Sequence, residues 1–104
     1  MGEWIKAADI SEINEIFEFE YNNREIVIFR YNDEFFALDN ICSHEYARLS
    51  EGELWDSWIY CPKHGSCFDI RNGGVKGLPA VSPVKSFRTK TDGTSLYIFF
   101  EDEY

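Results

Sequence analysis

Two short stretches of this chain bring sulfur and imidazole together. Cys42, Ser43 and His44 form the first, and Cys61, Pro62, Lys63 and His64 the second, with the sixteen residues 45 to 60 between them. Each stretch offers one thiolate and one imidazole, and these are soft and borderline metal ligands. Two loops that each supply one sulfur and one nitrogen can place both cysteines on one metal and both histidines on another. A two-iron cluster with chemically distinct irons needs that arrangement. A mononuclear zinc site could use the same four groups, although zinc sites of this composition usually pair the cysteines in one half and the histidines in the other, whereas here the order alternates. Cys67 is left over. Lying between Ser66 and Phe68, it reads as a small buried apolar side chain, because a nucleophilic thiol needs a base and both histidines of the chain already have assignments.

The rest of the composition narrows the setting. At 104 residues, with 44% apolar and 17% aromatic side chains, the chain suffices for one small domain. A domain of this size buries a modest share of its surface, so a metal staple adds usefully to stability. Nineteen acidic against ten basic side chains give a net charge of −9, which argues against binding nucleic acid and for a basic protein partner. Neither a signal-like leader nor a run of transmembrane length is present, so the expectation is a cytoplasmic monomer with no membrane attachment. In that reducing compartment, cysteines beside histidines bind metal or do chemistry more often than they form disulfides.

The elements that must position these ligands read as strands. Phe17, Phe19 and Tyr21 alternate with Glu18 and Glu20, which predicts a half-buried strand with aromatics inward. Turns at Asn22–Asn23 and at Asn32–Asp33 separate it from the runs Ile26 to Phe29 and Phe35 to Leu38, so a three-stranded meander is expected. Val84 to Thr89 and Leu96 to Phe100 flank Asp92–Gly93 and predict a final hairpin. Only Asp9 to Ile13 suggests a helical turn, with Asp9 as its cap and Glu12 three residues on. Between Asn40 and Pro83 the strands shorten, glycine and proline rise, and every cysteine and histidine of the chain is found. The reading is an all-β chain with an inserted functional segment.

With those motifs in view, the chain resembles the Rieske ferredoxins. The string CPKHGSCFD from Cys61 to Asp69 is very close to the second Rieske motif, and Leu49, Ser50, Glu51 and Gly52 resemble a stretch common in ferredoxins that serve bacterial aromatic-ring oxygenases. The resemblance implies a Rieske-like fold in one domain: an antiparallel β base (1–39 and 84–104) carrying a cluster-binding subdomain (about 40–83), with Pro79 to Pro83 as a covering loop. It implies one 2Fe-2S cluster, with Cys42 and Cys61 on the inner iron and His44 and His64 on the outer, and with Gly65 and Ser66 supporting it through hydrogen bonds to sulfur. It further implies a one-electron carrier, not itself an enzyme, between a flavin-containing ferredoxin reductase and a terminal oxygenase. A small Rieske subunit of another multicomponent oxidoreductase and a structural zinc module are the alternatives. An oxygenase in its own right is disfavoured, because no histidine remains for a mononuclear iron site.

Several positions depart from the high-potential members of that family. The extra cysteines that those proteins join as a disulfide are replaced by Ala47 and Lys63, and a tyrosine that donates to a cluster-bound sulfur is replaced by Phe68. Both changes imply a potential in the lower part of the Rieske range, about −150 to +300 mV. Glu45, Tyr46 and Arg48 do not fit a loop rich in glycine and proline, and the Glu45 carboxylate beside His44 reads as a solvated loop acid. Trp55 and Trp58 are expected to pack around the cluster segment; exposed near His44 or His64, they would instead mark a partner's footprint.

Overall fold

In the computed structural model of the chain, residues 2–41, 47–62, 66–76 and 82–101 are described. Local sequence explains the central meander. Asn22, Asn23, Asn32 and Asp33 all take positive φ, between 51° and 63°, which asparagine and aspartate tolerate and which the tight hairpin turn requires at both central positions. These turns join β2 (Ile16–Tyr21), β3 (Arg24–Tyr31) and β4 (Glu34–Asp39) in antiparallel register, with Phe19 opposite Ile26 and Phe29 opposite Phe36. In β2 the acids Glu18 and Glu20 face water while Phe17, Phe19 and Tyr21 are half-buried, as the alternation predicts.

The chain opens with β1 (Gly2–Asp9), followed by a 3-10 turn over Ile10–Glu12. The Glu12 carboxylate accepts the Asp9 backbone N–H at 3.0 Å, and the capping box expected between Asp9 and Glu12 is present. β1 was not expected. It pairs with β10 (Ser95–Glu101), and the register shifts between Lys6 and Ala8. The expected final hairpin is also split. Ser86–Phe87 forms β8 on the edge of the meander against β4, whereas Thr89–Thr91 forms β9 against β10. Arg88 lies at the crossover, and its carbonyl accepts the Phe99 N–H at 3.0 Å. Asp92 and Gly93 turn the chain as predicted, with Gly93 at φ 92°.

Three short strands complete the order: β5 (Glu53–Trp55), β6 (Trp58–Tyr60) and β7 (Cys67–Asp69), preceded by a 3-10 turn over Leu49–Glu51. Among the described residues three antiparallel sheets result, ordered β1-β10-β9, β2-β3-β4-β8 and β5-β6-β7. β3 explains how they stack. Ile26, Val27, Ile28 and Phe29 are all fully buried, so this strand is covered on both faces. Ile26 and Ile28 join Ala8, Leu96, Ile98 and Phe100 in one apolar cluster. Val27 and Phe29 join Leu49, Ile59, Cys61, Phe68 and Ile70 in another. The meander is therefore the shared wall of two cores, and the second core contains a predicted metal ligand.

Candidate metal centre

Cys61 directly follows β6, whose partner strand β7 begins at Cys67 with Tyr60 opposite it. The Cys61 N–H donates to the Ser66 carbonyl at 2.6 Å and closes the hairpin loop between the two strands. Side chains alternate across the strands: Leu54, Ile59 and Phe68 point into the core, and Glu53, Trp55 and Tyr60 lie on the opposite face. Cys61 is 3% exposed and packs in the same cluster as Ala47 and Leu49.

That shared packing brings together the described residues at the ends of the two segments that carry the predicted ligands. The first leaves β4 at Ile41 and returns at Ala47, and an isolated bridge between Ile41 and Arg48 closes it. The Leu49 N–H donates to the Asn40 carbonyl at 2.7 Å across the same neck. Gly52 then crosses the backbone just before Cys61 so closely that a Cβ there would lie 1.9 Å from the Tyr60 carbonyl oxygen. Only glycine permits that approach. A groove of about 540 Å³ runs along this junction, lined among the described residues by Glu51, Gly52, Glu53, Trp55, Tyr60, Cys61 and Pro62.

Cys42, His44, His64 and Gly65 lie outside the described residues, as do Glu45, Tyr46, Lys63 and Pro79. Among the described residues no group of three or more metal-binding side chains forms, since three of the four predicted ligands are not among them. Where a sequence-predicted site residue is described, its placement suits a metal group. Cys61 is a buried thiol at the base of a groove, at the joint of two closed loops. Ser66 is fully buried beside it, and Pro83, the described end of the expected covering loop, is exposed. Cys67 is 6% exposed; burial pushes its thiol up, against smaller opposing effects from the Tyr60 hydroxyl and Lys76, so it stays a neutral side chain.

Phe68 is fully buried on the core face and has no hydroxyl to offer a sulfur atom. Ala47, also buried, occupies its position without a thiol. The tryptophans divide. Trp58 is half-buried with the Lys76 ammonium 4.9 Å above its ring, but Trp55 is 63% exposed, its indole N–H donating to Glu53 at 3.3 Å. The packing expected for Trp55 is thus corrected: strand alternation puts it on the solvent face of a hairpin whose other face meets the core.

Residues 3–88 match the Rieske [2Fe-2S] domain family. The chain belongs to the Rieske [2Fe-2S] family. One 2Fe-2S cluster is accordingly its cofactor, and the donor set of two thiols and two imidazoles is the chemistry such a cluster takes. Among curated relatives, the anthranilate 1,2-dioxygenase ferredoxin subunit of Burkholderia cepacia is 44% identical over 64 residues, 62% of this chain. The matched stretch spans 59% of that relative's length. Among solved structures, the ferredoxin of carbazole 1,9a-dioxygenase from Nocardioides aromaticivorans IC177 superposes with a TM-score of 0.86 at 30% identity, covering 91% of this chain and 95% of its own. A ferredoxin in a complex of reduced oxygenase and oxidised ferredoxin, again of carbazole 1,9a-dioxygenase, gives 0.87 at 28% identity, covering 97% and 96%. This Rieske chain shares their nearly all-β architecture, and among its described residues no helix is long and apolar enough to cross a membrane.

Proposed function

We propose that this Rieske protein is a mobile one-electron carrier of an oxygenase system. In this reading Cys42, His44, Cys61 and His64 hold the cluster, and the chain passes single electrons from a flavin-containing reductase to a terminal, aromatic-ring-hydroxylating oxygenase. The observation that carries it is Cys61: a thiol buried in a core shared with the meander, beside the neck of the first ligand segment. When bound, the cluster supplies reversible one-electron chemistry at a potential raised by its neutral imidazoles. The chain's own residues exclude water from the cysteine side through Phe68, Leu49 and Ile59 and hold the two loops at a fixed spacing. Ser66 supports the second loop, and Gly65 does so by the same family pattern. The cluster-bearing segment then runs over about 40–83, on a base made of the remainder.

Electron transfer to a partner requires a face close to the cluster. The groove beside Cys61 is bordered by exposed Glu51, Glu53 and Trp55, an aromatic and two acids that suit a basic partner surface. With a net charge of −9, such an encounter is transient and weakens with salt. The relatives named as ferredoxin subunits, and the neighbour seen with its oxygenase, support the same partner class. Phe68 and Ala47, which lack the hydroxyl and the disulfide of high-potential members, support a potential in the lower part of the range of about −150 to +300 mV. The cytoplasm, where reduced pyridine nucleotides feed such reductases, is the compartment this role needs, and a monomer suffices for it.

The test is iron and acid-labile sulfide analysis of anaerobically prepared protein, with EPR of the reduced state. Equal iron and sulfide at the 2Fe-2S stoichiometry, with nitrogen coupling from two imidazoles, is the expected result. Retention of the cluster after both His44 and His64 are replaced by alanine would overturn the ligand assignment.

A further inference from the structure

Beside the ligand segments lies a polar cluster, centred on one buried amide, that neither the fold nor electron carriage explains. Asn40 is 1% exposed, and both ends of its amide are engaged. Its Nδ2 donates to Glu18 Oε1 at 3.2 Å and to Ser50 Oγ at 3.1 Å, while its Oδ1 accepts the Ser50 backbone N–H at 2.8 Å. Its own backbone is bound as well, the N–H to the Glu25 carbonyl at 2.9 Å and the carbonyl to the Leu49 N–H at 2.7 Å. Ser50 Oγ in turn donates to Glu18 Oε1 at 3.0 Å, which closes a three-residue ring. Outside it, Arg48 pairs with Glu25 at 2.6 Å.

We infer that Asn40 is a positioning residue that sets the separation of the two ligand loops. This rests on the ligand assignment proposed above. Asn40 stands two residues before Cys42, and through Ser50 it holds the 3-10 turn Leu49–Glu51 against β2. That turn ends at Gly52, which lies on the carbonyl of Tyr60, the residue before Cys61. A continuous set of short contacts therefore links Asn40, two residues before Cys42 in sequence, to Tyr60, the residue before Cys61. A buried amide that uses both of its N–H donors and its oxygen is directional in a way that apolar packing is not, so it fixes this distance before the cluster is inserted. Asparagine is the side chain that serves here. Aspartate would set a second carboxylate against Glu18 and lose both donors, and alanine would leave the Ser50 N–H and the Glu18 carboxylate without their buried partner.

The experiment uses the cluster-loaded chain and four variants. Cluster loss in excess chelator is followed by visible absorbance, and the g-values of the reduced cluster are read by EPR. N40D is expected to lose its cluster about tenfold faster or more, the size expected for breaking a buried hydrogen-bond set, with shifted g-values. S50A, which keeps the backbone donor, should shift both readouts in the same direction by less, and it carries the test if N40D does not accumulate. E18Q should behave as wild type, because its amide oxygen still accepts from Asn40 and Ser50. T89V removes a hydrogen bond to the Phe35 carbonyl in the base and is the control for stability alone; it should lower the melting temperature and move neither readout. Wild-type g-values and half-life in both N40D and S50A, or an equal effect in T89V, would overturn the inference while leaving the ligands intact. Wild-type protein devoid of iron would overturn the ligand assignment first.

Discussion

The β1-β10-β9 sheet and the β5-β6-β7 sheet cover opposite faces of β3, yet they are held by different means. On the base side β1 and β10 run together from Gly2–Glu101 to Asp9–Ser95, and tilted ring pairs pack beside them, Trp4 with Phe99 at 5.1 Å and Phe87 with Phe100 at 5.5 Å. Arg88 and Lys90 lie over the Trp4 ring and add cation–π attraction. On the other side every strand is three residues long, too short to hold a sheet by its own ladder. That sheet relies on its inner face, where Leu54, Ile59 and Phe68 meet the meander, and on whatever ties its loops together. The lesson is a division of labour: the base side is held by long paired strands and ring contacts, whereas under the proposed ligand assignment the other side completes its stability with the cofactor.

The largest expected effect breaks that comparison at the metal. Replacing Cys61 by alanine should abolish the colour and the iron. Hydrogen exchange at β6 and β7 amides should then accelerate about a hundredfold or more, corresponding to the ~2.7 kcal/mol that a ligand at a hundred times its dissociation constant supplies. Amides in β3 and β10 should keep most of their protection. Equal loss of protection on both sides of β3 would show one cooperative unit and defeat the division.

Next in size are two core truncations, one on each side of the shared wall. Phe68→Ala empties a fully buried position under the cluster sheet, and Ile28→Ala does so under the base sheet. They should cost ~3–5 and ~2–5 kcal/mol respectively in chemical denaturation. Only Phe68→Ala should also shorten the lifetime of the bound cluster, measured at a temperature where both variants are folded. A similar shortening in Ile28→Ala would mean that the meander transmits strain freely between its two faces.

How much of this was legible in the sequence follows the same line between local and distant causes. The β2-β3-β4 meander could be read because Asn22–Asn23 and Asn32–Asp33 favour their turns whatever surrounds them. The family could be read because its two Cys–His motifs are each local in sequence. β1 was missed, since its partner β10 lies at the far end of the chain and its alternation is interrupted where the register shifts at Lys6 and Ala8. The splitting of residues 84–89 between two sheets depends on Ser86 meeting Leu38 and Thr89 meeting Ile98, neither of which leaves a nearby signal. Trp55 was misjudged because exposure depends on which face of a hairpin finds the core. The Asn40–Glu18 contact spans twenty-two residues and has no motif.

The smallest expected effect sharpens the comparison from the base side. Asp92 accepts the Ser95 N–H at 2.8 Å, the Thr94 N–H at 3.0 Å and the Tyr97 hydroxyl at 3.2 Å. The two backbone donors are the main cause that holds its carboxyl below the usual carboxylate range. A carboxylate whose affinity for the proton is weaker folded than unfolded contributes stability above its unfolded pKa, about 3.9, and loses it as the pH falls through the lower folded value. Asp92→Ala should therefore lower the melting temperature at pH 7, and the gap from wild type should narrow steadily below about pH 4. Both proteins lose the cluster alike in acid, so only the difference between them is read. At neutral pH the cluster lifetime should be the same in both. A gap that stays constant down to pH 2.5 would show that the turn depends on aspartate's shape and not on its charge. A changed cluster lifetime at pH 7 would show that even the outermost hairpin of the base reaches the metal side.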